Sequence, residues 1–114
     1  MSLPDGSSRP ASPDEVRVAV EVLKLLADPT RLAILAMLDG DELPVGAIAE
    51  ALGRPVPAVS QHLAKLRAHR LVVARRDGSS VHYSQPDQHV ARLVTNTLQH
   101  AEHVIHDEPP HHRP

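Results

Sequence analysis

At 114 residues, with 41% hydrophobic residues and a formal net charge of −2, the chain has room for one small domain and its tails. It has no cysteine, which excludes disulfides, thiolate metal sites and thiol redox chemistry. No apolar run reaches the ~20 residues of a membrane span or forms a signal-peptide core, so a cytoplasmic protein with no membrane contact is expected.

Tyr83 is the only aromatic residue, so Leu, Val, Ile and Ala must supply the core, and so small a core gains from oligomerisation. Residues 1–11, rich in Ser, Pro and Gly, predict a disordered tail. A helix then opens at Ser12-Pro13-Asp14-Glu15, with Ser12 as N-cap, Pro13 at the first helical position and Glu15 as the reciprocal capping partner. The stretch 16–27 is apolar on more than one side, which predicts a helix covered by its own domain and by a partner subunit. Asp28-Pro29 opens a second helix that turns Leu32, Leu35 and Leu38 inward and ends at Gly40. A third follows Pro44 and buries Val45, Ile48, Ala49 and Leu52 before Gly53. The fourth is expected to begin near Pro57, with Val59, Leu63 and Leu66 as its inward stripe.

Residues 71–76 and 80–83 read as two strands joined through Asp77-Gly78-Ser79, a hairpin signal. The last helix is expected from Ser84 to about His106, stopped by Pro109-Pro110. The expected organisation is therefore a folded unit over 12–106 and a flexible tail over 107–114.

Helix three, the tight turn over 53–56, helix four and a basic hairpin follow one another in the order of a winged helix-turn-helix. The fold class expected is mainly α with a small β-hairpin. Between Arg54 and Arg76 stand six basic residues and no acid, a candidate nucleic-acid footprint on an otherwise acidic protein. With Val59, Leu63 and Leu66 inward, helix four turns Pro57, Ala58, Ser60, Gln61, Ala64 and Lys65 outward. Small and hydrogen-bonding residues near its amino end suit entry into the major groove of double-stranded DNA. Gln61 is placed to read a base edge and Ser60 a base or a phosphate, while Lys65 and Arg67 suit phosphates. Arg75 and Arg76 on the wing suit the backbone or minor groove. His62 and His69 fall between the two faces and read as structural or solvated.

The other constellation is Asp87 and His89, then ten residues, then His100 and His103. At ~1.5 Å per residue, His89 and His100 lie roughly 16 Å apart along one helix. Ligands of one Zn²⁺ sit only ~2.0–2.2 Å from the ion, so the halves cannot share an ion within a straight helix. An antiparallel second copy brings Asp87 and His89 of one chain to His100 and His103 of the other, giving two sites per homodimer. One carboxylate and three imidazoles suit Zn(II) or Co(II). His106 continues the series, and with His111 and His112 it would raise the coordination number towards that of Ni(II). Asp87 has a competing role, closing a capping box with Ser84.

The stretch LADPTRLAILAMLDGDELPVGAIAEALGRPVPAVSQHLAKLRAHRLVVARRDGSSVHYSQPDQHV resembles the ArsR/SmtB family of metal-responsive repressors. Its strongest motifs are DPTRLAIL, VSQHLAKLR and RRDGSSVHYS, and the likeness covers roughly residues 14–106. The resemblance implies that Asp87, His89, His100 and His103 match the ligand set that zinc-, cobalt- and nickel-sensing members carry on the last helix. It also implies a homodimer that binds operator DNA without metal and releases it when metal binds. The chain departs from the family at Glu42-Leu43-Pro44-Val45-Gly46, where other members carry cysteine ligands, and at Arg70, where many carry Gly. Its amino-terminal tail also lacks the His that some nickel sensors use there. Competing functions are a metallohydrolase, disfavoured because four protein ligands leave no open position, a metal buffer, and a winged-helix regulator with a non-metal inducer.

Overall fold

Local signals start and stop nearly every helix of the computed structural model, which describes residues 9–107. The elements run α1 (Pro13–Leu26), α2 (Pro29–Met37), β1 (Leu43–Pro44), α3 (Val45–Leu52), α4 (Val56–Ala68), β2 (Val73–Asp77), β3 (Ser80–Ser84) and α5 (Gln88–Asp107). At the start of α1 the capping box is complete: Ser12 Oγ accepts the Glu15 N–H at 3.1 Å and Glu15 Oε1 accepts the Ser12 N–H at 2.8 Å. Asp28 caps α2 by accepting the Arg31 N–H at 2.9 Å. Gly53, at φ 63°, ends α3 in the left-handed conformation that glycine adopts without a Cβ penalty.

The end of α4 closes with two bonds, Leu71 N–H to Leu66 O at 2.9 Å and Arg70 N–H to Arg67 O at 3.0 Å. This is the Schellman arrangement, with buried Leu71 set beside buried Leu66. It forces Arg70 to φ 60°, a left-handed residue that is not glycine.

The core lies where α2, α3 and α4 meet: Ile34, Leu35, Leu38, Ile48, Val59, Leu63, Leu66 and Val72 are fully buried, and α5 adds Val90 and Val94. The three strands form an antiparallel sheet in the order β1-β3-β2, with Tyr83 opposite both Leu43 and Ala74. Gly78 supplies the positive φ of the two-residue turn between Asp77 and Ser80, which relieves the steric cost there.

Several element boundaries differ from the sequence expectation. Ser84 does not open the last helix; it ends β3 opposite Val73, and α5 begins at Gln88. Pro86 holds Gln85 out of helical conformation, so the chain turns before the helix can start. Strand β2 begins at Val73 rather than 71, because Leu71 completes the α4 terminus and Val72 is buried against the core. Helix α4 begins at Val56, with Pro57 inside its first turn. The two-residue strand β1 is an element the sequence did not announce. Of the amino-terminal tail only residues 9–11 are described, and there Arg9 pairs with Glu15 at 2.7 Å.

Helix α1 is covered on one side only. Leu25 is buried, while Val16, Val20 and Leu23 are 50%, 42% and 55% exposed, an apolar stripe left without cover in a single chain. Among the described residues no helix is long and apolar enough to cross a membrane.

Candidate nucleic-acid interface and metal centre

Burial of Val59, Leu63 and Leu66 fixes the roll of α4 about its axis. The solvent side then carries Pro57, Ser60, Gln61, Lys65 and Arg67, all exposed, while Ala58 is half-buried at the edge. Arg76 is exposed on the wing.

Arg75 is exposed too, but its guanidinium is engaged: Nε donates to Glu42 Oε2 at 3.0 Å and Nη2 to Glu42 Oε1 at 2.7 Å. This bond holds the Glu42 carboxyl below its usual range and raises Arg75 further. Of the six basic residues from Arg54 to Arg76, Arg75 alone has an acidic partner among the described residues. The pairing depends on β1 bringing Glu42 alongside the sheet, and no local pattern signals it.

A second network ties α4 to the end of α1. Arg31 Nε donates to Leu25 O at 2.6 Å, and its Nη1 lies 3.2 Å from His62 Nδ1. His62 is thus a structural residue, 3.9 Å from the Asp28 carboxylate. The Arg31 backbone N–H, and after it the charges of Arg31 and His62, hold the Asp28 carboxyl low. His69 is exposed, its Nδ1 3.3 Å from Lys65 O.

The candidate metal ligands all lie along α5 or at its start. Asp87 Oδ1 accepts the N–H groups of His89 at 2.9 Å and Val90 at 3.3 Å, so Asp87 caps α5 by itself and the capping box with Ser84 does not form. Its other carboxylate oxygen has no partner among the described residues. Because Asp87 precedes the helix, it is not bound to the ~200° divergence from His89 that an ideal helix would impose.

His89, His100, His103 and His106 are exposed. At ~3.6 residues per turn, His100 and His103 project within about 20° and about 40° of His89, whereas the buried Val90 and Val94 project about 100° and about 140° away. The three histidines therefore form a stripe turned from the chain's own core, and His106 falls about 100° off it. Within one chain the two halves stay apart, and no group of three potential ligands converges among the described residues. His111 and His112 lie outside the described residues.

A helix-turn-helix pair, a β-wing and a basic, outward-facing α4 define a winged helix-turn-helix regulator of the DNA-binding type. A family profile for a helix-turn-helix domain matches residues 26–75. The chain is 45% identical over 109 residues to the HTH-type transcriptional regulator KmtR of Mycobacterium tuberculosis, covering 96% of this chain and 84% of that one. It is 43% identical over 103 residues to the regulator NmtR of the same organism, covering 88% and 86%. Among solved structures it is similar to the homodimeric winged helix-turn-helix DNA-binding domain Mb0332 of Mycobacterium bovis, described as a possible ArsR-family regulator. The TM-score there is 0.74 at 36% identity, over 82% of this chain and 88% of that one. The chain belongs to the ArsR/SmtB family. These relatives are transcriptional regulators and not enzymes, which removes the hydrolase alternative.

Proposed function

We propose that this chain is a metal-responsive repressor that binds operator DNA as a homodimer through residues 12–106. It releases that DNA when Zn(II), or Ni(II) or Co(II), binds between the two α5 helices. The observation that carries this reading is the histidine stripe: His89, His100 and His103 share one exposed side of α5, turned away from the side that Val90 and Val94 bury. A stripe of imidazoles turned away from the core serves its own chain in no visible way, but it suits a second chain. The uncovered apolar side of α1 supports the dimer, because Val16, Val20 and Leu23 gain most from a partner that covers them.

The donor set fits the proposed ions. One carboxylate with an unengaged oxygen and three imidazoles are borderline-hard ligands of the type zinc and cobalt accept, and no thiolate is present to favour softer ions. Asp87 and His89 of one chain with His100 and His103 of the other would hold the ion. Bound there, the metal supplies a cross-link between subunits. On the DNA side, Gln61 faces the bases, Ser60 a base or a phosphate, and Lys65, Arg67 and Arg76 the phosphates.

The test is duplex binding by the full chain with and without Zn(II), combined with Co(II) absorption. The reading expects salt-dependent operator binding that Zn(II) abolishes, and strong d–d bands saturating at one Co(II) per chain. Operator binding indifferent to all three metals overturns the metal part and leaves a regulator with another inducer.

A further inference from the structure

We infer that the cleft between α4 and the wing seats one backbone phosphate of the duplex, with the Tyr83 hydroxyl as a neutral donor beside the Arg67 guanidinium; this rests on the DNA-binding reading above. The cleft holds about 390 Å³ and is lined by Ser60, Leu63, Ala64, Arg67, Ala68 and Tyr83. It exists because α4 presents only methyl groups at Ala64 and Ala68, next to the sheet, where a longer side chain would fill the space.

Three of the lining residues carry hydrogen-bond donors: the Ser60 hydroxyl, the Arg67 guanidinium and the Tyr83 phenol. No lining residue is acidic. Arg67 has no ion-pair partner among the described residues, so its charge is available to a ligand. Such a set, all donors and one fixed positive charge, matches a tetrahedral oxyanion and repels nothing on it.

Tyr83 is placed for this by the sheet. It stands on the central strand β3, between Leu43 of β1 and Ala74 of β2, and packs against the core while also lining the cleft. An aromatic body held by the core with a polar tip at a cleft is the amphipathic use of tyrosine. Its hydroxyl makes no hydrogen bond to the protein among the described residues, although a partly buried phenol ordinarily has one. Ser60 and Arg67 lie two turns apart on the edge of α4 that lines the cleft, about 100–120° round the helix from Gln61. A duplex read by Gln61 carries its own phosphates past both. Tyr83 is the only aromatic residue, but no local pattern ties it to this cleft, because its neighbours there are 15 to 23 residues away along the chain.

The experiment compares wild type, Tyr83→Phe and Arg67→Ala on operator and on a scrambled duplex across a salt series. Phe keeps the ring packing, and thermal melting verifies the fold. Tyr83→Phe should weaken both duplexes alike, by about 3- to 10-fold, with an unchanged salt slope, because a neutral donor releases no counterion. Arg67→Ala should flatten the slope by about one. A methylphosphonate at the contacted phosphate should weaken wild type more than it weakens Tyr83→Phe, in which only the Arg67 contact remains to be lost. Tyr83→Phe within twofold of wild type on both duplexes overturns the inference while leaving DNA binding intact. Wild type that binds neither duplex overturns the underlying reading instead. A saturable sub-millimolar shift of the Tyr83 ring resonances on adding inorganic phosphate alone assigns the cleft to free phosphate and overturns the duplex as its occupant.

Discussion

Arg75 on β2 and Glu42 just before β1 are joined across the intervening strand by a two-pronged ion pair, 3.0 Å and 2.7 Å long. Their side chains are 54% and 36% exposed, so solvent screens the pair and it adds little to stability. Its larger consequence concerns DNA. Arg75 has to give up Glu42 before it can meet a phosphate, and the carboxylate repels the duplex meanwhile. Glu42→Gln should therefore tighten binding to any duplex several-fold and steepen the salt slope by about one, with little change in melting temperature. Anisotropy titrations across salt measure both, and an unchanged slope would mean that Arg75 does not touch DNA.

Arg70 is held at φ 60° by the two bonds that close α4. A left-handed residue other than glycine costs roughly 1 kcal/mol, and nothing in the geometry repays it. Arg70→Gly should raise stability by up to about 1 kcal/mol, seen as a rise of a few degrees in melting at fixed chain concentration. Phosphate contact by Arg70 would appear in the same variant as a flatter salt slope.

How much of this was legible depends on how local each cause is. Ser12, Asp28, Gly53 and Gly78 act within a few residues, so their caps and turn are visible in the chain. The burial of Val59, Leu63 and Leu66 follows from helical spacing, and with it the outward side of α4. Ser84 misled because Ser-x-x-Asp has the form of a capping box, while its backbone was already committed to Val73 across the sheet. Strand β1 was invisible because two residues carry no periodicity, and its partners His82 and Tyr83 lie about forty residues on. The Glu42 pairing was hidden for the same reason. On α5 the spacing of the histidines is a helical fact and could be read. Their proposed convergence with Asp87 of a second chain is in no single-chain geometry.

Gln61 is exposed on the amino-terminal half of α4 and lies between Ser60 and the half-buried His62. An amide both donates and accepts, which suits a base edge better than a phosphate. Gln61→Ala should cut discrimination between operator and scrambled duplex by about 1–3 kcal/mol and leave the salt slope alone. Equal discrimination before and after the substitution would show that α4 enters the groove with a different roll.

Asp28 joins the start of α2 to Arg31 and, through it, to His62 on α4. Its removal in Asp28→Ala should cost about 1 kcal/mol at neutral pH, as for other lost N-caps. The folded carboxyl titrates below its ordinary value, chiefly because of the Arg31 N–H. Its contribution is therefore complete above the unfolded value near 4 and is lost as pH falls through the lower folded value. The stability gap between wild type and Asp28→Ala, measured by urea unfolding, should be widest at pH 7 and shrink below about pH 4. A gap that is constant with pH would assign the loss to packing.

His100 tests the coupling between metal and DNA most directly. It lies on the exposed stripe of α5 and touches neither the core nor α4, so His100→Ala should fold and bind operator as wild type does. Two recognition helices must match half-sites about one turn of DNA, ~34 Å, apart to grip together. A dimer cross-linked through α5 in another spacing loses that match, and reciprocity requires bound operator to weaken metal binding by the same factor. Removing one imidazole of the proposed set should abolish release by Zn(II) at concentrations that release wild type, while operator affinity without metal stays within about twofold. Undiminished release by zinc in His100→Ala would place the sensing site elsewhere in the dimer.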